Sequence, residues 1–428
     1  MSKFFAVLKK IFKDKDLRKK SLIVLGLFLA FRFLAHVPVS GVNVNQLKAL
    51  FDQNQFLGLI NLLGGGTLAN FSVLAVGIGP YIYASIVMQL GAQIYPKLEE
   101  LQKEGEYGRQ KINQYTRYIT LPLAILQSVG MYALLRSQGL IAELNPFFLI
   151  TFISTLVAGT MLILWIGELI SEQNIGNGIS LIIFAGIVGS LPTGIAQVLV
   201  SATPDQLINY AIIGGAALLL VGAIVFVTEA VRKVPVIYAR RIRGGKSESA
   251  QQTFLPLRLN SAGVVPIIFA ISLVLLPSLL ANYFLASKAP ALVGIGQFLA
   301  VNFATTSIAY NVVYFLMVFG FTYFYTAIVI NPQKVAEDIQ EGGGFIPGIR
   351  PGKPTAGYLN YIVTRITLAG GLFLGIVAIL PNVLQTFTGI QSLLVGGTSI
   401  LIVVSVVIET VKIFQTQLVT RSYERFNL

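Results

Sequence analysis

Ten apolar runs, each about 17 to 25 residues long and so of membrane-spanning length, constrain this 428-residue chain more than any other feature. They are read at Ser21 to Val37, Phe71 to Ile94, Tyr118 to Leu135, Phe147 to Ile170, Ile179 to Val200 and Ile208 to Val227, then at Ala262 to Ala281, Ile308 to Ile330, Tyr361 to Leu380 and Val395 to Phe414. In lipid the backbone must satisfy its own polar groups, so runs of this length predict helices. The chain is 55% hydrophobic and 11% charged, whereas soluble domains carry roughly 25% charged residues. A soluble fold is therefore disfavoured, and the predicted class is an all-α polytopic membrane protein with ten transmembrane helices in two pseudo-symmetric halves of five. Because five is odd, the second half starts from the opposite face and any symmetry between the halves is of the inverted kind.

Two further apolar stretches do not fit as spans. Leu57 to Asn70 is short and contains Gly64, Gly65 and Gly66, which reads as a re-entrant segment. Ala289 to Ala304 leaves no room for a loop before Ile308 and is expected to lie at the external interface.

The loops report orientation. Of 31 Lys and Arg, 27 fall in the N-terminus, the Lys97 to Arg117, Arg232 to Arg258 and Lys334 to Arg365 loops, and the C-terminal end from Lys412 onward; three fall on the other face and Arg32 lies inside the first run. Basic loops stay cytoplasmic, so both termini are expected inside a cell membrane. The expected organisation is a basic N-terminus at 1–20, a first half at 21–204, a second half at 205–414 and a tail at 415–428. The first run is expected to be a retained helix, since Ala35-His36-Val37 makes a poor cleavage site.

Composition excludes much chemistry. Without cysteine and with His36 as the single histidine, thiolate and multi-histidine metal sites are ruled out and no cofactor is expected. Glu168, Glu229 and Glu409 each lie within about two helical turns of a cytoplasmic span end. Arg32 sits about 16 Å into its helix and is expected to pair with a carbonyl or a neighbouring helix, or to snorkel, because one isolated charge cannot form a proton relay. Gln89 and Asn260 are candidates for hydrogen bonds between helices. No phosphate loop, HExxH or nucleophile elbow stands in a supporting context, and Gly176-Asn177-Gly178 reads as a tight turn between helices. The chain is not expected to be an enzyme.

Two connections, at 232–260 and 331–360, exceed the 2 to 8 residues common between bundled helices. The first carries Arg240, Arg241, Arg243 and Lys246; the second holds Arg350 in a turn stiffened by Pro347, Gly348, Pro351 and Gly352. A rigid turn suits a docking residue better than a lipid contact.

Four motifs, in order, resemble the bacterial SecY family: Gly77-Ile78-Gly79-Pro80-Tyr81-Ile82; Lys103-Glu104-Gly105-Glu106 with Gln114-Tyr115-Thr116-Arg117; Ile175-Gly176-Asn177-Gly178-Ile179-Ser180; and Phe345-Ile346-Pro347-Gly348-Ile349-Arg350-Pro351-Gly352. The likeness runs from about Ser21 to Tyr423. It implies a clamshell of two five-helix halves around an hourglass pore, which conducts unfolded polypeptide and releases apolar segments sideways into lipid. It further implies a pore ring of Ile78, Ile82, Ile179, Ile183, Ile268 and Ile402, and a plug at 57–70 comprising Leu57, Leu59, Ile60, Leu62, Leu63 and the three glycines. A lateral gate lies between spans two and three and spans seven and eight, with Gln89 and Asn260 meeting across it. The implied partners are small SecE and SecG-type subunits, the motor ATPase SecA, the ribosome, signal sequences, nascent chains and membrane lipids. Nucleic-acid contact is limited to ribosomal RNA at the cytoplasmic loops. Arg350 matches the family's motor-coupling arginine, while Gly244-Gly245-Lys246-Ser247 departs from the adjacent arginines common at that loop tip. The alternative reading from span count alone is a secondary transporter of a small solute, which requires a polar site at the midplane.

Overall fold

The computed structural model describes residues 14–39, 67–68, 71–137, 139, 141, 145–201, 207–238, 251–285, 289–304, 307–388 and 397–426. Helices there run in the order α1 (Lys15–Leu34), α2 (Gly79–Ile94), α3 (Pro96–Lys103), α4 (Glu106–Ser137), α5 (Pro146–Glu172), α6 (Gly178–Ser201) and α7 (Leu207–Glu229). After strands β1 (Val231–Tyr238) and β2 (Gln251–Arg258) come α8 (Val265–Leu285), α9 (Pro290–Asn302), α10 (Ile308–Val329), α11 (Pro332–Glu341), strand β3 (Gly344–Phe345), α12 (Lys353–Thr388) and α13 (Gly397–Phe426). Each of the ten predicted runs coincides with a helix, and α9 falls on the stretch predicted to be interfacial. Among the described residues α5, α10, α12 and α13 are long and apolar enough, by length and composition, to cross a membrane.

The second run departs from expectation at its start. Residues 71–78 form turns, and α2 begins only at Gly79. Their path is set by a close approach: a Cβ on Gly159 of α5 would lie 1.9 Å from the Val73 carbonyl oxygen, so only glycine admits the segment there. The segment also packs outward. Phe71, Ala75 and Val76 share a buried cluster with Tyr132 and Leu135 of α4 and Phe152 and Leu156 of α5.

The helices pack as two groups. In one, α1 packs on α5 and α6, α2 on α4, α4 on α5, and α5 on α6; in the other, α8 packs on α10, α10 on α12, α12 on α13, and α7 on α12 and α13. The groups meet along two seams, α8 against α2 and α4, and α13 against α6.

The oversized connections are not plain loops: they add a small sheet to the helical membrane fold. β1 pairs antiparallel with β2 from Val231↔Arg258 to Tyr238↔Gln251, and with β3 at Ile237↔Phe345 and Tyr238↔Gly344. The order β2-β1-β3 stitches both connections into one sheet. Pro256 lies on an edge strand, and Pro235 lies where β1 has no β3 partner, so neither missing N–H breaks a ladder. Val234, Val236, Leu257, Ala336, Ile339, Ile346, Leu359 and Val363 bury a separate core between the sheet, α11 and the start of α12.

Candidate functional site: an apolar ring between two helical groups

Glycine determines how the fourth and fifth spans meet. A Cβ on Gly178 would lie 1.7 Å from the Gly167 carbonyl oxygen, and a Cβ on Gly167 would lie 2.9 Å from Ile179 Cδ1. The turn ahead of α6 is tied by side chains: Ser171 Oγ accepts from the Gly178 N–H at 2.9 Å, and Asn177 Oδ1 caps the helix by accepting from the Ser180 N–H at 3.1 Å. Asn174 takes a left-handed φ of 56°. The glycine-rich motif is thus a turn between helices, as expected, and it aims Ile179 and Ile183 into the interior.

The six isoleucines named from sequence fall within one extensive apolar core shared by both helical groups. Ile78, Ile82, Ile183, Ile268 and Ile402 belong to one buried cluster, and Ile179 packs against it partly exposed. They divide between the seams: Ile78 at the N-cap of α2, Ile82 on α2 and Ile268 on α8 at the first; Ile179 and Ile183 on α6 and Ile402 on α13 at the second.

Gln89 and Asn260 do not bond to each other. Gln89 Nε2 donates to Ser85 Oγ at 3.0 Å, and Asn260 Nδ2 donates to the Gly263 carbonyl oxygen at 3.2 Å. Each amide nitrogen is bonded within its own segment, while the amide oxygens of both are buried without a donor. The bond that does join α2 to α8 was not foreseen: Tyr83 Oη donates to the Ser272 carbonyl oxygen at 3.4 Å. Its sequence signal was a tyrosine one residue beyond Ile82, which alone cannot name a backbone acceptor 189 residues away.

Arg32 behaves as expected of an isolated intramembrane charge, since Nη2 donates to the Gly189 carbonyl oxygen of α6 at 2.7 Å. Arg117 of α4 pairs with Glu168 of α5 at 2.6 Å, and Lys412 of α13 with Glu229 of α7 at 2.8 Å. Among the described residues no cluster of three or more His, Cys, Asp or Glu stands where a metal could bind.

Arg350 is exposed on a frame of hydrogen bonds. Ile349 N donates to the Ile346 carbonyl oxygen at 3.0 Å across Pro347 and Gly348, and Gly348 takes φ 81°. Those are the residue types of a type II turn. Buried Ile346 anchors the turn to the sheet core, and Thr355 Oγ1 donates to the Arg350 carbonyl oxygen at 2.9 Å. The plug residues Leu57, Leu59, Ile60, Leu62, Leu63, Gly64, Gly65 and Gly66, and the loop-tip residues Arg240, Arg241, Arg243 and Lys246, lie outside the described residues.

Fold and site together define a polytopic helical membrane protein whose two helical groups meet around an apolar cluster. The family described as SecY matches residues 72–411. The protein translocase subunit SecY of Streptomyces coelicolor is 41% identical over 434 residues, covering 97% of this chain and 98% of that relative. The subunit of the same name from Mycobacterium tuberculosis H37Rv is 40% identical over 435 residues, covering 96% and 97%. This chain belongs to the SecY family. Among solved structures, one of a SecY protein whose plug domain stabilises the closed state of its translocation channel matches with TM-score 0.66 at 18% identity, covering 94% of this chain and 92% of that one. Sec61 in the canine ribosome–channel complex matches with TM-score 0.62 at 16% identity, covering 93% and 92%, and shares the fold.

Proposed function

We propose that this chain is the channel-forming subunit of a protein translocase, passing unfolded polypeptide across the membrane and releasing apolar segments sideways into lipid. The observation that carries the reading is that Ile78, Ile82, Ile183, Ile268 and Ile402, with Ile179 packed against them, belong to one apolar core shared by both helical groups. An apolar constriction dewets and so blocks ions. It also offers a passing chain no hydrogen bonds to hold it.

The plug reading of 57–70 is supported by how the described residues on either side of the undescribed stretch are fastened to one another. Val39 N donates to the Phe71 carbonyl oxygen at 2.9 Å, Val73 N to the Val37 carbonyl oxygen at 2.9 Å, and buried Thr67 Oγ1 to the Leu74 carbonyl oxygen at 2.8 Å. The seam of α8 with α2 and α4 is the lateral gate in this reading, with α10 behind α8. Gln89 and Asn260 each retain an unmet acceptor that a rearranged seam can satisfy.

With both termini cytoplasmic, the sheet unit projects inside the cell and presents Arg350 to the SecA motor. Arg240, Arg241, Arg243 and Lys246, in the connection between β1 and β2, are the motor or ribosome contact in this reading, and small SecE and SecG-type subunits complete the assembly. Membership in the SecY family sets aside the small-solute transporter.

The test is reconstitution in vesicles with the partner subunits, motor ATPase and a secretory precursor. Arg350→Glu is expected to abolish most ATP-driven transport while the chain still inserts and folds; normal transport removes Arg350 from the docking role.

A further inference from the structure

Arg32 has no task in the ring, the plug or the docking turn. It lies two residues before the end of α1 at Leu34, about 3 Å from that end along the axis, so its long side chain reaches the level of lipid headgroups. One side of the guanidinium is held: Nη2 donates to the Gly189 carbonyl oxygen of α6 at 2.7 Å. A Cβ on Gly189 would stand 2.9 Å from Arg32 Cζ and Nη1, so glycine leaves the space in which the guanidinium lies. A guanidinium has five N–H donors and a full charge. Among the described residues that carbonyl is the one acceptor its side chain reaches, and no carboxylate pairs with it.

The face of α1 that carries Arg32 is apolar and open. Leu22, Leu25, Leu29 and Phe33 fall on one face with Arg32 and His36 at helical spacing. All four apolar side chains are more than half exposed, Leu29 and Phe33 at 72% each. From Leu22 to Phe33 the stripe runs about 16 Å, about the depth of one leaflet. His36 lies exposed one turn beyond Arg32, with Nδ1 2.8 Å from the Arg32 carbonyl oxygen, which leaves Nε2 for another partner. An apolar stripe of one leaflet's depth that ends in an under-coordinated cation complements one phospholipid, acyl chain on the stripe and phosphate on the guanidinium.

We propose that Arg32 binds the phosphate of a membrane phospholipid whose acyl chain lies along Leu22, Leu25, Leu29 and Phe33. Under the orientation proposed above, that lipid belongs to the outer leaflet; the leaflet rests on the orientation, the site does not. The donors that the Gly189 carbonyl leaves unused meet the phosphate oxygens, a pairing that guanidinium geometry favours. His36 Nε2 is a further headgroup contact, and the phosphate's charge offsets the cost of a cation inside a span. The bound lipid reinforces the α1–α6 contact, because one guanidinium holds both the lipid and the α6 backbone.

The test uses the chain assembled with its partner subunits in nanodiscs that contain phosphatidylglycerol carrying a photoreactive diazirine beside the phosphate. Adducts are mapped by peptide mass spectrometry and are expected between Leu29 and His36. Arg32→Gln removes the charge and is expected to lower these adducts by about tenfold or more, the range for a hydrogen bond to a charged group. Arg32→Lys should keep an intermediate level. Competition on the unmodified chain does not depend on how the variants fold: excess unlabelled phosphatidylglycerol should displace the probe, while a phosphate-free diacyl glycolipid and inorganic phosphate should not. Adducts that persist in Arg32→Gln, that the glycolipid displaces equally, or that inorganic phosphate displaces overturn the lipid-phosphate site. So does an absence of adducts on this face in the assembly, which marks a partner helix as its occupant. Sealed vesicles with the probe in one leaflet at a time test the orientation separately: capture from the cytoplasmic leaflet overturns the orientation and leaves the site standing.

Discussion

At the scale of single residues, glycines and backbone acceptors decide more than charges do. Arg117–Glu168 and Lys412–Glu229 are partly exposed pairs, and such pairs contribute about 0 to 1 kcal/mol. The contact of Gly178 with Gly167 leaves no room for a methyl group at all. Gly178→Val is therefore expected to cost at least the 1 to 3 kcal/mol typical of overpacking. Thermal unfolding in detergent should show a lower Tm, and aggregation of the purified chain should rise. The sequence disclosed Gly176-Asn177-Gly178 as a turn but not this reason for it, because the obstructing carbonyl belongs to the preceding helix. Tyr83 and Ser272 were illegible for the same reason: a backbone acceptor carries no side-chain signature.

At the scale of elements, the apolar runs announced the helices because lipid leaves the backbone few alternatives. The strands were not read from the sequence: Val234 and Val236 alternate with more exposed neighbours, but the segment is short and carries two prolines among sixteen strand residues. Pairing decided the matter by placing each proline where no donor is required. Gly344 is the stitch. A Cβ there would lie 2.7 Å from Tyr238 Cε1 and 3.0 Å from the Ile339 carbonyl oxygen. Gly344→Val is expected to unpair β3 and detach the Arg350 turn from its core, at about 1 to 3 kcal/mol. Limited trypsin digestion should then cut at Lys334, which precedes Val335, well before the wild type, with helical circular dichroism retained.

At the scale of the whole molecule, the two seams are built differently. The α2–α8 seam is joined by Tyr83 to Ser272 and flanked by unmet amide oxygens. On the other seam Gln417 of α13 donates to the Asn174 carbonyl oxygen at 2.6 Å, its own amide oxygen is likewise buried without a donor, and Gly176 lies close to Thr410. If the α2–α8 seam is the lateral gate, as proposed, restraining the two seams should have different effects. Because the chain has no cysteine, introduced pairs react alone. A short bifunctional maleimide joining Tyr83→Cys to Ser272→Cys is expected to stop insertion of apolar segments. The same reagent joining Gly176→Cys to Thr410→Cys should leave insertion largely intact, as read by carbonate-resistant incorporation of a membrane-protein substrate.

Taken by itself, the sequence determined the membrane class, the ten runs, the expected orientation and the motifs that mark the SecY family, because hydrophobic length, loop charge and local turn chemistry are written in consecutive residues. Only the tertiary structure decided that the isoleucines of both groups share one cluster, that two distant connections form one sheet holding Arg350, and that Tyr83 rather than Gln89 reaches across the seam. Those outcomes depend on close backbone approach and on acceptors hundreds of residues apart, and neither leaves a trace in local sequence.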